Sequence, residues 1–337
     1  AVVINSGIAN ACTGKQGMEC CREEARWAGE LLGIPQSAVL VASTGEIGRQ
    51  IPMDRIHEGI EKAAAAKSGT LQAGLDAAQA IMTTDTVPKQ IAVETTIGGK
   101  TVTLGGMCKG SGMIHPNMCT MLCFITTDAN ISKDMLKKAV SADVKDSFNM
   151  ISVDGDTSTN DTFLVLANGM AGNPEITTEG ADFDAFCQAL AFLTTRLARM
   201  IAGDGEGATA LFETKVVGAA TKEDARVLAK SVICSSLTKA AIFGHDANWG
   251  RILCALGYSG ADFDPDNVDL YFQGKNGKIH IFGNGHACDY SEEEASQLLS
   301  QPEVCVLVDM HMGNEEATAW GCDLSYDYVR INADYRS

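Results

Sequence analysis

The sequence predicts a layered α/β fold, with α and β layers mixed and with parallel and antiparallel sheets flanked by helices. Three observations predict it. Stretches with apolar residues at helical spacing alternate with short β-branched runs, some of those runs are joined by turn glycines instead of helices, and hydrophobic residues make up 45% of 337 residues. In order, "AVVIN" (1–5) reads as a strand and "GMECCREEARWAGELLGI" (17–34) as a helix ended by Pro35. "AVLVAS" (38–43) is a buried strand running into the "TGEIG" loop. In "MDRIHEGIEKAAAA" (53–66), Met53, Ile56, His57 and Ile60 share one helical face, so His57 is read as a packing residue. "QIAVETTIGGKTVTLGG" (90–106) reads as a hairpin turning on Gly98 and Gly99. "MLCFITT" (121–127) is a core strand, "DMLKKAVSADVKDSF" (134–148) a helix and "DTFLVLA" (161–167) a strand. The long helix "FDAFCQALAFLTTRLARMIA" (183–202) precedes strand "TKVVGAA" (214–220). Thr221 with Asp224, and Ser291 with Glu294, open the helices "KEDARVLAKSVICSSL" and "EEEASQLL" as capping boxes. "VDLYF", "KIHIF", "VCVLVDM" and "LSYDYVRINA" (324–333) complete the strands.

Charge and composition exclude several classes. With 26 Lys and Arg against 43 Asp and Glu, the net charge of −17 repels nucleic-acid backbones and anionic lipid. No stretch approaches the roughly 18 to 20 unbroken apolar residues of a membrane helix, and the first residues lack a signal-peptide pattern, so a cytoplasmic location is expected. The twelve cysteines are scattered without a C-x-x-C pair and the six histidines are dispersed. The cysteines are therefore expected to be small buried hydrophobes in a reducing compartment, and no metal is expected.

Three motif lookalikes fail. "GGKT" (98–101) lacks the first glycine of a phosphate loop, where Glu94 stands. "DGDTSTND" (154–161) has Thr159 at the turn-glycine position of a calcium loop and Val165 at the closing glutamate position. "GDGEG" (203–207) is no dinucleotide fingerprint, and a G-x-S-x-G elbow is absent. What remains is a set of glycines, small hydroxyl residues, one lysine and one acid on strand-end loops, where chemistry concentrates. Without a Ser-His-Asp set, a hydroxyl nucleophile needs another base. A threonine at a chain N-terminus supplies its own, an α-amine of ordinary pKa about 7.7 to 8.0.

"NSGIANACTG", "VASTGEIG", "IMTTDTVPK", "KGSGMIHPNMCTML", "DGDTSTNDTF", "GDGEGAT", "DANWGRI" and "VRINADYRS" occur in this order along nearly the whole chain. Together they resemble the ornithine acetyltransferase family, the bifunctional glutamate N-acetyltransferases of arginine biosynthesis. The resemblance implies the self-processing aminopeptidase and ornithine acetyltransferase fold, with autoproteolysis between Cys119 and Thr120 giving an α chain of residues 1–119 and a β chain of residues 120–337. Thr120 is then the nucleophile. It takes acetyl from N-acetylornithine and yields it to glutamate in a ping-pong reaction, and Thr44 and Gly45 form the oxyanion hole. Thr83, Lys109, Thr120, Glu206, Asn332 and Ser337 align with the ligand-contacting positions. Charge logic agrees, since Lys109 suits a carboxylate and Glu206 an ammonium. The resemblance implies no cofactor, leaves acetyl-CoA open as a donor substrate, and suggests two α and two β chains.

The sequence departs from the family pattern at Cys119, commonly alanine, at Ala210, usually lysine, and at Ser337, usually threonine. The family also carries a segment ahead of the "NSG" strand, so a truncated sequence is expected. Two rival readings stay open: a self-processing aminopeptidase or amidohydrolase of the same fold, and a non-catalytic amino-acid-binding relative.

Overall fold

The computed structural model describes residues 1–118, 120–275 and 277–334. The first layer pairs β1 (Val2–Asn5) in parallel with β2 (Leu40–Ser43), connected by α1 (Gly14–Leu32). α2 (Met53–Ala66) and α3 (Leu71–Ala80) follow. Ala25 and Ala28 of α1, Val39 and Ile60 of α2 bury a small core, with Trp27 and Ile56 packed against it. His57 lies 4.3 Å from the Trp27 ring centre to centre, the packing role expected of it.

β3 (Lys89–Ile97) and β4 (Lys100–Lys109) form the expected hairpin, with Gly98 and Gly99 at φ 56° and 76°. β5 (Leu122–Thr127) pairs antiparallel with β4, and after α4 (Lys133–Asp143), β6 (Thr162–Ala167) returns parallel to β5. The register places Lys109 opposite Leu122 and Leu122 opposite Thr162, so three loops with chemically active side chains meet at one end of this four-stranded sheet. Leu122 and Phe124 turn one face of β5 onto Ala42 of β2, which joins the first layer to the second.

α5 (Ala181–Gly203) buries an apolar stripe including Phe186, Leu190, Leu193 and Leu197. It packs on β3 and β4 and reaches the six-stranded sheet beyond, where Arg199 pairs with Glu213. That sheet has the order β10-β9-β8-β11-β7-β12. Its strands are β7 (Leu211–Ala219), β8 (Asp269–Gly274), β9 (Gly277–Gly283), β10 (His286–Ala287), β11 (Glu303–Asp309) and β12 (Glu315–Cys322). β11 and β7 are parallel and the other pairs antiparallel, so both sheets are mixed, as expected. α6 (Lys222–Cys234) covers β7 and β12, where Gly321 lets it approach: a Cβ there would sit 3.3 Å from Ile233 and 2.9 Å from the Ser152 carbonyl. α7 (Ser236–Phe243), α8 (Trp249–Gly257), α9 (Glu292–Leu299) and α10 (Tyr326–Asp334) complete the chain. Thr221 and Ser291 cap α6 and α9 as read from the sequence.

Several expectations need correction. The stretch 324–333 is not a strand: its alternating Leu324, Tyr326 and Tyr328 mimic a period of two, but Ser325 Oγ accepts the Tyr328 N–H at 3.4 Å and starts α10. The final strand is instead β12, disguised by two leading glutamates. The stretch 222–237 breaks at Ser235, whose hydroxyl caps α7 through the Thr238 N–H at 3.2 Å. The described cysteines are all free thiols; Cys20, Cys108, Cys123 and Cys322 are buried, whereas Cys12 and Cys254 are exposed and are not core hydrophobes.

Candidate active site

Four loops converge where β5 begins. Thr120, half-buried, directs its Oγ1 hydroxyl to Ser158 Oγ at 2.7 Å, and its N–H donates to Asp161 Oδ1 at 2.7 Å. The Met121 N–H donates to the same carboxylate oxygen at 2.9 Å. Burial pushes the Asp161 carboxyl above its ordinary pKa, against the backbone N–H groups that hold it down. From the end of β2, fully buried Thr44 donates its hydroxyl to the Thr120 carbonyl at 3.1 Å. Gly45 follows at φ 128°, backed so closely onto the neighbouring loop that a Cβ would lie 2.2 Å from the Gly7 carbonyl carbon. Only glycine fits there. The Gly45 N–H meets no acceptor among the described residues. Asn160 ties the loops together, donating to Ser43 O at 3.1 Å and Ser43 Oγ at 3.0 Å.

On the adjoining strand, Lys109 has no exposed surface; its Nζ donates to Thr83 Oγ1 at 2.8 Å and stands 3.7 Å from Asp85 Oδ2. Burial lowers the Lys109 pKa and Asp85 opposes that fall. Burial also pushes the Asp85 carboxyl up, but Lys109, Lys89 and the Gly110 N–H outweigh it and hold the pKa below the ordinary value. The ionic set continues through buried Lys89, 2.7 Å from Asp85 and 2.5 Å from Asp204. Asp204 opens the "DGEG" turn, which brings Glu206 against Gly112, where a Cβ would meet the carboxylate at 2.3 Å. The Glu206 N–H donates to Ser111 O at 3.0 Å, and Asn332 of α10 donates to Glu206 Oε2 at 2.7 Å. The register of Lys109 with Leu122, and of Leu122 with Thr162, sets this ionic set at the same sheet end as Thr120 and Asp161.

The structure therefore gathers Thr44, Gly45, Thr83, Lys109, Thr120, Glu206 and Asn332, read from scattered motifs, into one cluster. Cys119 and Ser337, the other two sequence candidates, lie outside the described residues. Thr44 stands beside Thr120, with its hydroxyl on Thr120's own carbonyl. Sequence reasoning missed Asp161, Ser158, Asp85, Lys89 and Asp204. Asp85 and Lys89 carried no local signal, because the segment between α3 and β3 is not helical; Ser158 and Asp161 carried none beyond their motif. A groove of about 1320 Å³, lined by His115, Asn117, Lys137, Asp161, Arg226 and Lys230 among others, meets this cluster at Asp161 but is lined by none of Thr44, Lys109, Thr120 and Glu206. The cluster, not the larger groove, holds a hydroxyl beside glycine backbone and charges of both signs, the set that acyl transfer to an amino acid requires.

Fold and cluster together define a mixed α/β enzyme of the acyl-transfer class, built around a hydroxyl at a strand head. A family model described as the ArgJ family matches residues 1–337. An arginine biosynthesis bifunctional protein ArgJ from Symbiobacterium thermophilum is 57% identical over the whole of this chain and 82% of its own length. That of Caldanaerobacter subterraneus is 52% identical over the whole of this chain and 83% of its own. The crystal structure of arginine biosynthesis bifunctional protein argJ from Bacillus halodurans matches with a TM-score of 0.60 at 47% identity, covering 63% of this chain and 98% of that one. The chain belongs to the ArgJ family.

Proposed function

We propose that the chain passes an acetyl group from N2-acetylornithine to glutamate through an ester on Thr120, after cutting itself between Cys119 and Thr120. Membership of the ArgJ family makes it an acetyltransferase of arginine biosynthesis. The observation that carries the finer reading is Thr120 itself: a half-buried hydroxyl at the head of a core strand, 3.1 Å from Thr44 through its carbonyl and two residues before Leu122, which pairs with the buried Lys109. In self-processing, Thr120 Oγ1 attacks the carbonyl carbon of residue 119, the C–N bond breaks, the hydroxyl proton passes to the nitrogen, and water releases the ester. The freed amine then serves as base for attack on the acetyl carbonyl and returns the proton to the leaving ornithine nitrogen. Glutamate, deprotonated by the same amine, takes the acetyl group from the ester. Thr44 and Gly45 supply oxyanion donors, Lys109 pairs with the substrate carboxylate in competition with Asp85, and Glu206, steadied by Asn332, takes the ammonium.

The acetyl group moves from substrate to hydroxyl to substrate, so no cofactor is required; acetyl-CoA is an alternative acetyl donor. We place the reaction in the cytoplasm, in an assembly of two α and two β pieces. Among the described residues, no helix is long and apolar enough to cross a membrane. Intact mass and N-terminal sequencing are expected to show two pieces, the second beginning at Thr120, and T120A is expected to stay whole and form no N-acetylglutamate. Cleavage persisting in T120A, or a new N-terminus elsewhere, overturns the reading. Acetate release without transfer to glutamate would point to a hydrolase.

A further inference from the structure

Asp161 and Ser158 touch the residue proposed to react, and no role described above uses them. Asp161 immediately precedes β6, and the parallel register of Leu122 with Thr162 sets it beside Thr120 and Met121. One of its oxygens, Oδ1, accepts both of their N–H groups. The other, Oδ2, is shut off from solvent and has no partner at hydrogen-bond distance among the described residues, although the Ser158 N–H lies close enough to the carboxylate to help hold its pKa down. A buried carboxylate oxygen left without a donor is costly and calls for an explanation. A peptide nitrogen offers only one N–H, which Oδ1 already accepts. If the bond before Thr120 is cut, the same nitrogen becomes an ammonium with three N–H groups. The unpartnered oxygen then has a donor. Ser158, meanwhile, holds Thr120 Oγ1 at 2.7 Å while accepting the Asn160 N–H at 3.0 Å, so the hydroxyl is fixed by the loop that carries the carboxylate.

We propose that Asp161 anchors the Thr120 α-amine of the processed enzyme and that Ser158 holds the Thr120 hydroxyl beside it. The inference rests on Thr120 as the processed nucleophile and deepens that reading. Asp161 is a positioning residue: it keeps no proton of the reaction, which travels from Oγ1 to the Thr120 nitrogen and on to the leaving amine. It acts through charge and direction. The charged groups that face Asp161 are Lys109 on β4 and Lys230 on α6. Burial lowers the pKa of both, Lys230 to about 8, and in their charged forms they join burial in disfavouring an ammonium at Thr120, whereas the Asp161 carboxylate favours it. Removing that negative charge lowers the pKa of the amine.

The test is the pH dependence of kcat/KM for acetyl transfer, measured on processed wild type, D161N and S158A, with processing scored by N-terminal sequencing. D161N, cut normally at Thr120, is expected to lose about tenfold or more in kcat. Its acidic limb is expected to move about one pH unit or more toward acid. S158A is expected to lower kcat and leave that limb in place. Processed D161N with an unmoved limb overturns the proposal while leaving Thr120 as nucleophile intact; an active T120A overturns the reading beneath it. Should D161N remain uncut, the amine is titrated directly by nitrogen NMR in processed wild type labelled with 15N-threonine. A pKa at or above the ordinary value of about 7.7 to 8.0 supports the anchor, and a value more than about one unit below it overturns it.

Discussion

Glu24 has no exposed surface, and among the described residues neither of its carboxyl oxygens has a hydrogen-bond partner. Burial alone pushes its pKa to about 7. A folded-state pKa above the unfolded one means the folded protein binds the extra proton, so this site favours folding in acid. Its contribution declines as pH rises from the ordinary carboxylate range through about 7. E24Q is therefore expected to be more stable than wild type by roughly 3 kcal/mol at pH 8 and little different at pH 4.5, measured by urea denaturation. At the active cluster, T44A removes the proposed oxyanion donor and is expected to lower kcat about a hundredfold with KM nearly unchanged, measured by steady-state acetyl transfer. These two residues also mark how far single positions could be read. Thr44 stood in a quoted motif, whereas Glu24 looked like one more charge on an amphipathic helix, because the burial of its face depends on β1 and β2 closing over α1.

At the scale of elements, the buried ionic set of Asp85, Lys89, Lys109 and Asp204 clamps the loop after α3, the end of β4 and the end of α5. Asp85 alone accepts from Thr83 N–H at 3.1 Å, Gly110 N–H at 2.7 Å and Lys89 Nζ at 2.7 Å. D85A leaves two buried lysines without their shared carboxylate and is expected to cost about 3 to 5 kcal/mol in chemical denaturation. Because the Asp85 pKa lies below its ordinary value, that stabilisation is present above the ordinary carboxylate range and is lost as pH falls through the lowered value. The elements themselves were largely legible where a local signal set them: the Gly98-Gly99 turn, the caps at Thr221 and Ser291, the stripe of α5. The stretch from Leu324 reads as a strand because an alternating aromatic pattern fits either period, and only the hydroxyl bond from Ser325 to the Tyr328 N–H makes it the start of α10. The neighbourhood of Asp161 and Thr120 was not legible at all, since it is made by strand register between residues 41 positions apart.

At the scale of the molecule, the proposed cut between residues 119 and 120 falls between two paired strands. Lys109, Cys108 and Met107 of β4 stand opposite Leu122, Cys123 and Phe124 of β5, and α5 covers β3 and β4 from the far side of that boundary. The main core draws Ile97, Val102, Leu104 and Ile114 from one piece and Ile125, Phe186 and Leu193 from the other. Pieces 1–119 and 120–337 are therefore expected to co-elute in size-exclusion chromatography under native conditions and to separate only in denaturant. The segment ahead of the boundary is also held: Asp154 accepts from Met113 and Ile114, and Asn149 from Met118. On the proposed cut, a tail moored in this way stays with the second piece instead of drifting off with the rest of the first.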